Sequence, residues 1–336
     1  MHLSGTNFQS LNMWPVLACV LFTLLSQCSA EDLIVTIANG KVQGTSYTSA
    51  NGTSFYTWRH IPYAQPPVGD LRFLAPEAPD NWTDILNGTE DSPACWSVGT
   101  FAGTPDPTHG QSEDCLYINV YSSSPMADDT LRPVMFWIYG GGFFAGNSDF
   151  DYYDPTPFLE EDVIVVTFNY RLNVFGFLST EDQIVPGNAA LKDQLMALKW
   201  TKTNIAFFGG NPQNITIFGQ SAGAMSVGYH LVSLKSRDLF SGAILESGSA
   251  LRDYFQSNAN KNALAVASQI NSSISTTSSS QNILSILQAV DAEKLVTIAK
   301  EIQSKEILDV AQYRTLKKCR IFSTFQPARF ILRLIT

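Results

Sequence analysis

One short segment limits what this chain can fold into. Gly219-Gln220-Ser221-Ala222-Gly223 lies between an apolar run at 215–218 and a stretch of helical patterning at 224–234. Strand, sharp turn and helix in that order place the serine at an exposed corner above a sheet. The strand and helix that flank such a turn approach closely, and Gly219 and Gly223 leave the room they need. Ser221 then sits at the positive end of a helix dipole. It is the candidate nucleophile.

The runs around this corner predict the sheet that carries it. Short apolar segments bounded by turn residues occur at 134–139, 163–168 and 215–218, with a fourth at Gly242–Glu246. Such runs suit strands buried on both faces. A helical pattern covers 190–207, with Leu191, Leu195, Leu198 and Ile205 on its apolar side. The alternation predicts an α/β fold with a mainly parallel central sheet. Residues 33–61 read as a meander of strands, 61–72 as a Pro/Gly-rich connection and 80–115 as a long polar loop. Beyond Gly248 the pattern turns helical, at 263–270, 283–290 and 295–302, with a Ser/Thr-rich surface loop at 271–280.

A second glycine signal follows the first of the main strands. In Tyr139-Gly140-Gly141-Gly142-Phe143, three glycines let backbone N–H groups face a ligand without obstruction by side chains. Acyl transfer needs such donors where a tetrahedral oxyanion forms. A position just beyond a strand end is also where α/β sheets bind ligands.

The N-terminus predicts a secreted, extracellular protein. Residues 14–25 are almost wholly apolar, long enough for a signal-peptide core and too short to cross a bilayer. Cys28 and Ala30 place small residues at −3 and −1, which predicts a signal peptide of residues 1–30 and a mature chain from Glu31. Met13 offers a second start with a shorter leader, and no Lys or Arg precedes the apolar run. No later segment predicts a membrane span. Of five cysteines, Cys19 and Cys28 fall in the leader, Cys95 and Cys115 in the mature chain, and Cys319 is left over. Asn51, Asn81, Asn87, Asn214 and Asn271 each open an Asn-x-Ser/Thr acceptor for N-glycosylation. The formal charge is −9 and no basic run stands out, which argues against a nucleic-acid partner. Nothing in the sequence calls for a cofactor or a metal, and nothing reports an oligomeric state.

Taken in order, these motifs resemble the type-B carboxylesterases, the cholinesterase-like family of α/β-hydrolases. The resemblance runs from about residue 33 to residue 248. It includes Ile61-Pro62-Tyr63-Ala64 leading to Arg72-Phe73, and Glu113-Asp114-Cys115-Leu116-Tyr117-Ile118-Asn119-Val120-Tyr121. Further on come Gly140 to Gly142, Asn169-Tyr170-Arg171, Phe175-Gly176-Phe177, Gly187-Asn188, Asp193-Gln194 and Phe208-Gly209-Gly210-Asn211-Pro212. The resemblance implies hydrolysis of carboxylic esters, with Ser221 as nucleophile and the N–H groups of Gly141, Gly142 and Ala222 as the oxyanion hole. It also implies a Cys95–Cys115 disulfide closing a loop near the pocket mouth, and structural ion pairs Arg72 with Glu113 and Arg171 with Asp193.

Two departures bear on the substrate. Gln220 stands before the nucleophile where most of the family has Glu, and Gly-Gln-Ser-Ala-Gly is similar to the motif of insect juvenile hormone esterases. The aromatics of the loop between the two cysteines, Trp96 and Phe101, lie near its start. Its second half lacks the tryptophan with which cholinesterases hold a quaternary ammonium by cation–π attraction. Both changes favour a small neutral carboxylic ester as substrate.

The sequence supplies no evident partner for Ser221. A serine hydroxyl needs a base, and the base an orienting carboxylate, in the chain order Ser, acid, His. His2 is in the leader, His60 and His109 precede Ser221, and His230 follows by nine positions on the same predicted helix. Glu301, Glu306 and Asp309 lie in helical pattern, so the acid is unassigned. The family pattern is lost after Phe325-Gln326-Pro327. The expected organisation is therefore a signal peptide at 1–30, the N-terminal portion of a carboxylesterase domain at 31–315 and a divergent tail at 316–336, with the domain C-terminally truncated. The competing expectation is a non-catalytic binding or adhesion module of the same superfamily.

Overall fold

The computed structural model describes residues 33–98, 107–125, 130–251 and 258–312, with side chains up to residue 302. The predicted signal peptide, Phe101, Cys319 and the tail at 316–336 lie outside the described residues, as do the side chains of Glu306 and Asp309.

Seven strands form the main sheet, in the spatial order β12-β11-β9-β10-β8-β4-β3. They are β3 (Thr45–Thr48), β4 (Ser54–Pro62), β8 (Tyr117–Ser122), β9 (Arg132–Ile138), β10 (Ile164–Phe168), β11 (Gly210–Gln220) and β12 (Gly242–Glu246). The four strands from β12 to β10 run parallel, and β8, β4 and β3 add an antiparallel arm. The sheet is thus mixed, and its parallel half is the half that carries Ser221. A small sheet of β1 (Ile34–Ile37), β2 (Gly40–Gln43) and β5 (Ile85–Asn87) stands apart from it, and β6 (Ala94–Cys95) pairs with β7 (Gln111–Ser112). The expected meander is therefore divided between two sheets.

Burial follows position in the sheet. All five residues of β10 are buried, as a central strand covered on both faces requires. In β12, by contrast, Ile244 and Leu245 are exposed, because among the described residues this strand pairs on one side only. Against the sheet pack α1 (Thr156–Leu159), α3 (Ala189–Asn204) and α4 (Ala222–Val232), while the short α2 (Asn173–Phe177) packs on α3. The predicted helix at 190–207 ends three residues early, where residues Ile205–Phe208 tighten into a 3-10 turn that closes on Gly209.

The remaining helices, α5 (Ala259–Ile270), α6 (Ser280–Gln288) and α7 (Ala292–Gln312), share a second core. Val266, Ile283, Leu287 and Leu295 bury there against Phe73, Val174 and Phe175. Arg72 ties this layer to the sheet. Its Nη1 donates to the carbonyls of Leu287, Gln288 and Val290, capping the C-terminal end of α6, while Nε reaches Glu113 Oε1 at 2.6 Å. No helix among the described residues is long and apolar enough to cross a membrane.

Candidate active site

The turn at Ser221 is as sharp as the sequence requires. Ser221 has φ 56° and ψ −119°, a conformation L-residues rarely adopt, and it sits between the end of β11 and the first residue of α4. The neighbouring glycines explain how the chain passes. A Cβ on Gly223 would lie 2.0 Å from the Ile138 carbonyl oxygen, and one on Gly219 would lie 2.6 Å from the same atom. Two hydrogen bonds fix the corner: Ser221 N–H donates to the Glu246 carbonyl at 2.8 Å, and Met225 N–H donates to the Ser221 carbonyl at 3.0 Å. Gly248 closes the far side, where a Cβ would approach the Ser221 carbonyl oxygen to 2.4 Å. Glu246 and Gly248 are parts of the corner that no sequence motif singles out; Gly248, two residues past the fourth apolar run, is the available signal.

The glycine run lies against this corner. A Cβ on Gly140 would meet the Gln220 carbonyl oxygen at 2.6 Å and Ser221 Cβ at 3.2 Å. Gly141, Gly142 and Phe143 then follow with φ values of 105°, 64° and 65°. This left-handed path suits the two glycines and is strained at Phe143. The Gly141 carbonyl accepts from the N–H groups of Phe144 and Ala145, and the Phe143 carbonyl accepts from Asn173 N–H at 2.8 Å. The loop is therefore a built turn braced by α2. Since Ser221 N–H is already bonded to Glu246, it is Ala222 N–H that heads α4 beside the serine. It belongs to the first turn, whose N–H groups have no partner within the helix.

Cys95 and Cys115 form a disulfide. The loop they close reaches the glycine run, because Val98 N–H donates to the Phe144 carbonyl at 3.0 Å. Both expected ion pairs are formed. Arg72 meets Glu113 with two of its nitrogens, and Arg171 grips Asp193 through Nε and Nη2 at 2.8 and 2.7 Å, both residues being buried. The five glycosylation candidates, Asn51, Asn81, Asn87, Asn214 and Asn271, are all exposed.

None of the described histidines is placed as base to Ser221. His60 is on β4, four strands from β11 and so about 19 Å away across the sheet. Its ring packs edge-on against Tyr117, and burial lowers its pKa. His109 is exposed in the disulfide loop, its Nδ1 3.0 Å from Thr108 Oγ1. His230 is nine residues along α4, about 13 Å from Ser221. It is buried, and its ring nitrogens bond to Ser236 and Gln194. Among the described residues there is also no cluster of His, Cys, Asp and Glu side chains able to hold a metal.

Comparison with known proteins points to one family. A family model described as "Carboxylesterase family" matches residues 31–327. A juvenile hormone esterase of Tribolium castaneum is 45% identical over 277 residues, covering 82% of this chain and 46% of that protein. An acetylcholinesterase of Electrophorus electricus is 42% identical over 246 residues, covering 70% and 39%. A carboxylic ester hydrolase of Bombus ignitus is 44% identical over 221 residues, covering 65% and 39%. The chain spans less than half the length of these curated relatives.

Proposed function

The chain belongs to the carboxylesterase family, and from that premise we propose that it carries the nucleophile half of a secreted serine esterase acting on small neutral carboxylic esters. The observation that carries the reading is the packing of Gly140 against Ser221, since it brings a glycine run to the nucleophile in one corner. In the proposed reaction Ser221 Oγ attacks the ester carbonyl. Its proton passes to a general base, and the carbonyl oxygen takes the negative charge. The N–H groups of Gly141, Gly142 and Ala222 stabilise that oxyanion. Collapse expels the alcohol with a proton and leaves an acyl-serine, which water then hydrolyses.

A polypeptide of these 336 residues alone has little turnover in this proposal, because His60, His109 and His230 are each held away from Ser221. In subtilisin, loss of the base costs about 10⁶ in kcat. The neutral-ester preference follows from Gln220, which brings no charge beside the nucleophile. Secretory routing, with glycans on the five exposed asparagines, follows from the N-terminal apolar run and the exposure of those side chains.

The test compares two proteins against a short neutral aryl ester and an organophosphate that labels activated serines. One is this chain; the other is extended by the C-terminal half of a curated relative. The reading expects hydrolysis and Ser221 labelling in the extended protein only, both abolished by Ser221→Ala. An extended protein that folds and binds the ester without turnover would favour a non-catalytic binding module. Robust Ser221-dependent hydrolysis by the 336-residue chain would overturn its proposed inactivity.

A further inference from the structure

Behind the nucleophile, four side chains form a hydrogen-bonded file that the esterase chemistry does not use. Ser226, one turn into α4, has Oγ 3.1 Å from the Ala222 carbonyl oxygen, to which it donates. Gln194 of α3 donates from Nε2 to Ser226 Oγ at 3.1 Å. The Gln194 carbonyl oxygen lies 3.2 Å from His230 Nε2, and His230 Nδ1 lies 2.8 Å from Ser236 Oγ. Ser226 and Gln194 are fully buried, and Ser236 and His230 nearly so, at 1% and 5% exposed.

The direction of the file is fixed by what each atom can do. A side-chain amide oxygen only accepts, so His230 Nε2 carries the proton. In the neutral ring Nδ1 then accepts, and the Ser236 hydroxyl donates to it. Burial holds the ring neutral, its pKa lowered to about 4. Every member therefore points its hydrogen toward the nucleophile end: Ser236 to His230, His230 to Gln194, Gln194 to Ser226, Ser226 to the Ala222 carbonyl. A buried network in which every polar side-chain atom has a partner specifies one geometry where an apolar contact would tolerate several. The file ends on the residue whose N–H heads α4. Asp193, the neighbour of Gln194, is itself gripped by Arg171, so α3 is an anchored support.

We propose that Gln194, Ser226 and His230 are positioning residues that lock the first turn of α4, and so set the aim of Ser221 and Ala222. The proposal rests on the esterase reading of Ser221. It assigns His230 a support role, orienting Gln194, in place of proton transfer.

Ser226→Ala, Ser226→Thr and Gln194→Met test it in the extended protein, with kcat, KM and the urea midpoint read for each. Ser226→Ala and Gln194→Met should lower kcat roughly tenfold with KM within about twofold, since small misplacement of reacting groups slows the chemical step more than it weakens binding. Ser226→Thr keeps a hydroxyl able to reach the carbonyl one turn back, and should restore kcat to within about twofold. Unchanged kcat in Ser226→Ala would overturn the proposal. So would a kcat loss that follows the drop in urea midpoint and is not rescued by threonine. If the extended parent protein has no activity, the esterase reading fails on its own terms. The file is then read in the 336-residue chain by NMR. An Nε2-protonated His230 and an Ala222 carbonyl resonance displaced in Ser226→Ala would uphold it; an Ala222 resonance that stays in place would overturn it.

Discussion

Tyr170 donates its phenol hydrogen to the backbone carbonyl of Tyr139 at 2.7 Å, and Tyr139 returns the contact by donating to the Tyr170 carbonyl at 3.1 Å. The two rings stack with centroids 4.3 Å apart, and both are fully buried. Each residue lies just past the end of its strand, Tyr139 after β9 and Tyr170 after β10. The pair thus latches two strand ends where ladder pairing has stopped, directly before Gly140.

Burial raises both phenol pKa values well above the ordinary 10, so the latch stays intact across the physiological range. Tyr170→Phe keeps the stack and leaves the Tyr139 carbonyl without that donor. The expected cost is about 1–3 kcal/mol, the penalty of an unsatisfied buried group. Urea unfolding measures it. A midpoint equal to that of the parent would mean the latch contributes nothing.

The left-handed backbone at Ser221 predicts a conflict between stability and chemistry. Glycine adopts φ 56° without the Cβ strain that serine bears there. Ser221→Gly should therefore be more stable than Ser221→Ala by about 1 kcal/mol, although both lack the nucleophile. The alanine variant is the right reference, because it removes the hydroxyl and keeps the Cβ. Equal melting temperatures would show that the corner is not strained.

The disulfide predicts a third outcome. Cys95 and Cys115 are 20 residues apart in sequence and both buried. Replacing both with alanine should cost about 3 kcal/mol on the chain-entropy estimate for a loop of that length. Because Val98 hangs the loop on Phe144, amides at 97–98 and 144–145 should also exchange faster with solvent. Unfolding curves and hydrogen exchange read the two effects separately.

What could be read from the sequence was what local pattern encodes. The corner at Ser221 was legible because glycine is the only residue that fits two of its positions. The strand Gly242–Glu246 and the nucleophile helix were found nearly in register. The meander at 33–61 supplies β3 and β4 of the antiparallel arm, but β8 and the junction it makes with β10 are not legible, since the choice of pairing partners leaves no mark in a short apolar run. β11 begins at Gly210, five residues before the apolar run that signalled it. Its first part is polar and contains Pro212, and a register shift between Gly210 and Ile215 lets it join β9 even so. The ion pairs were expected only from family resemblance, because a lone Arg or Asp reads as a surface charge. The partners of His230 lie 6 and 36 residues away, a distance no periodicity bridges.

His230 predicts how stability responds to acid. Its ordinary pKa of 6.5 falls to about 4 in the folded protein, and desolvation is the cause. Between those values the unfolded chain binds a proton that the folded protein excludes, so stability must rise with pH across this window. The contribution is fully present above pH 6.5 and is lost as pH falls toward 4, amounting to roughly 3 kcal/mol. His60, whose pKa burial also lowers, adds to the same slope. Asp149 opposes it, because burial raises its carboxyl above the ordinary 3.8 and its charged form is the disfavoured one. A His230→Asn variant separates these contributions. It should be less stable than the parent at pH 7.5, since the file to Ser226 is broken. Its stability should then fall less steeply than the parent's between pH 6.5 and 4.5, so the two curves converge in acid. Urea midpoints measured across that range supply the comparison. Parallel curves would show that His230 keeps its ordinary affinity for protons.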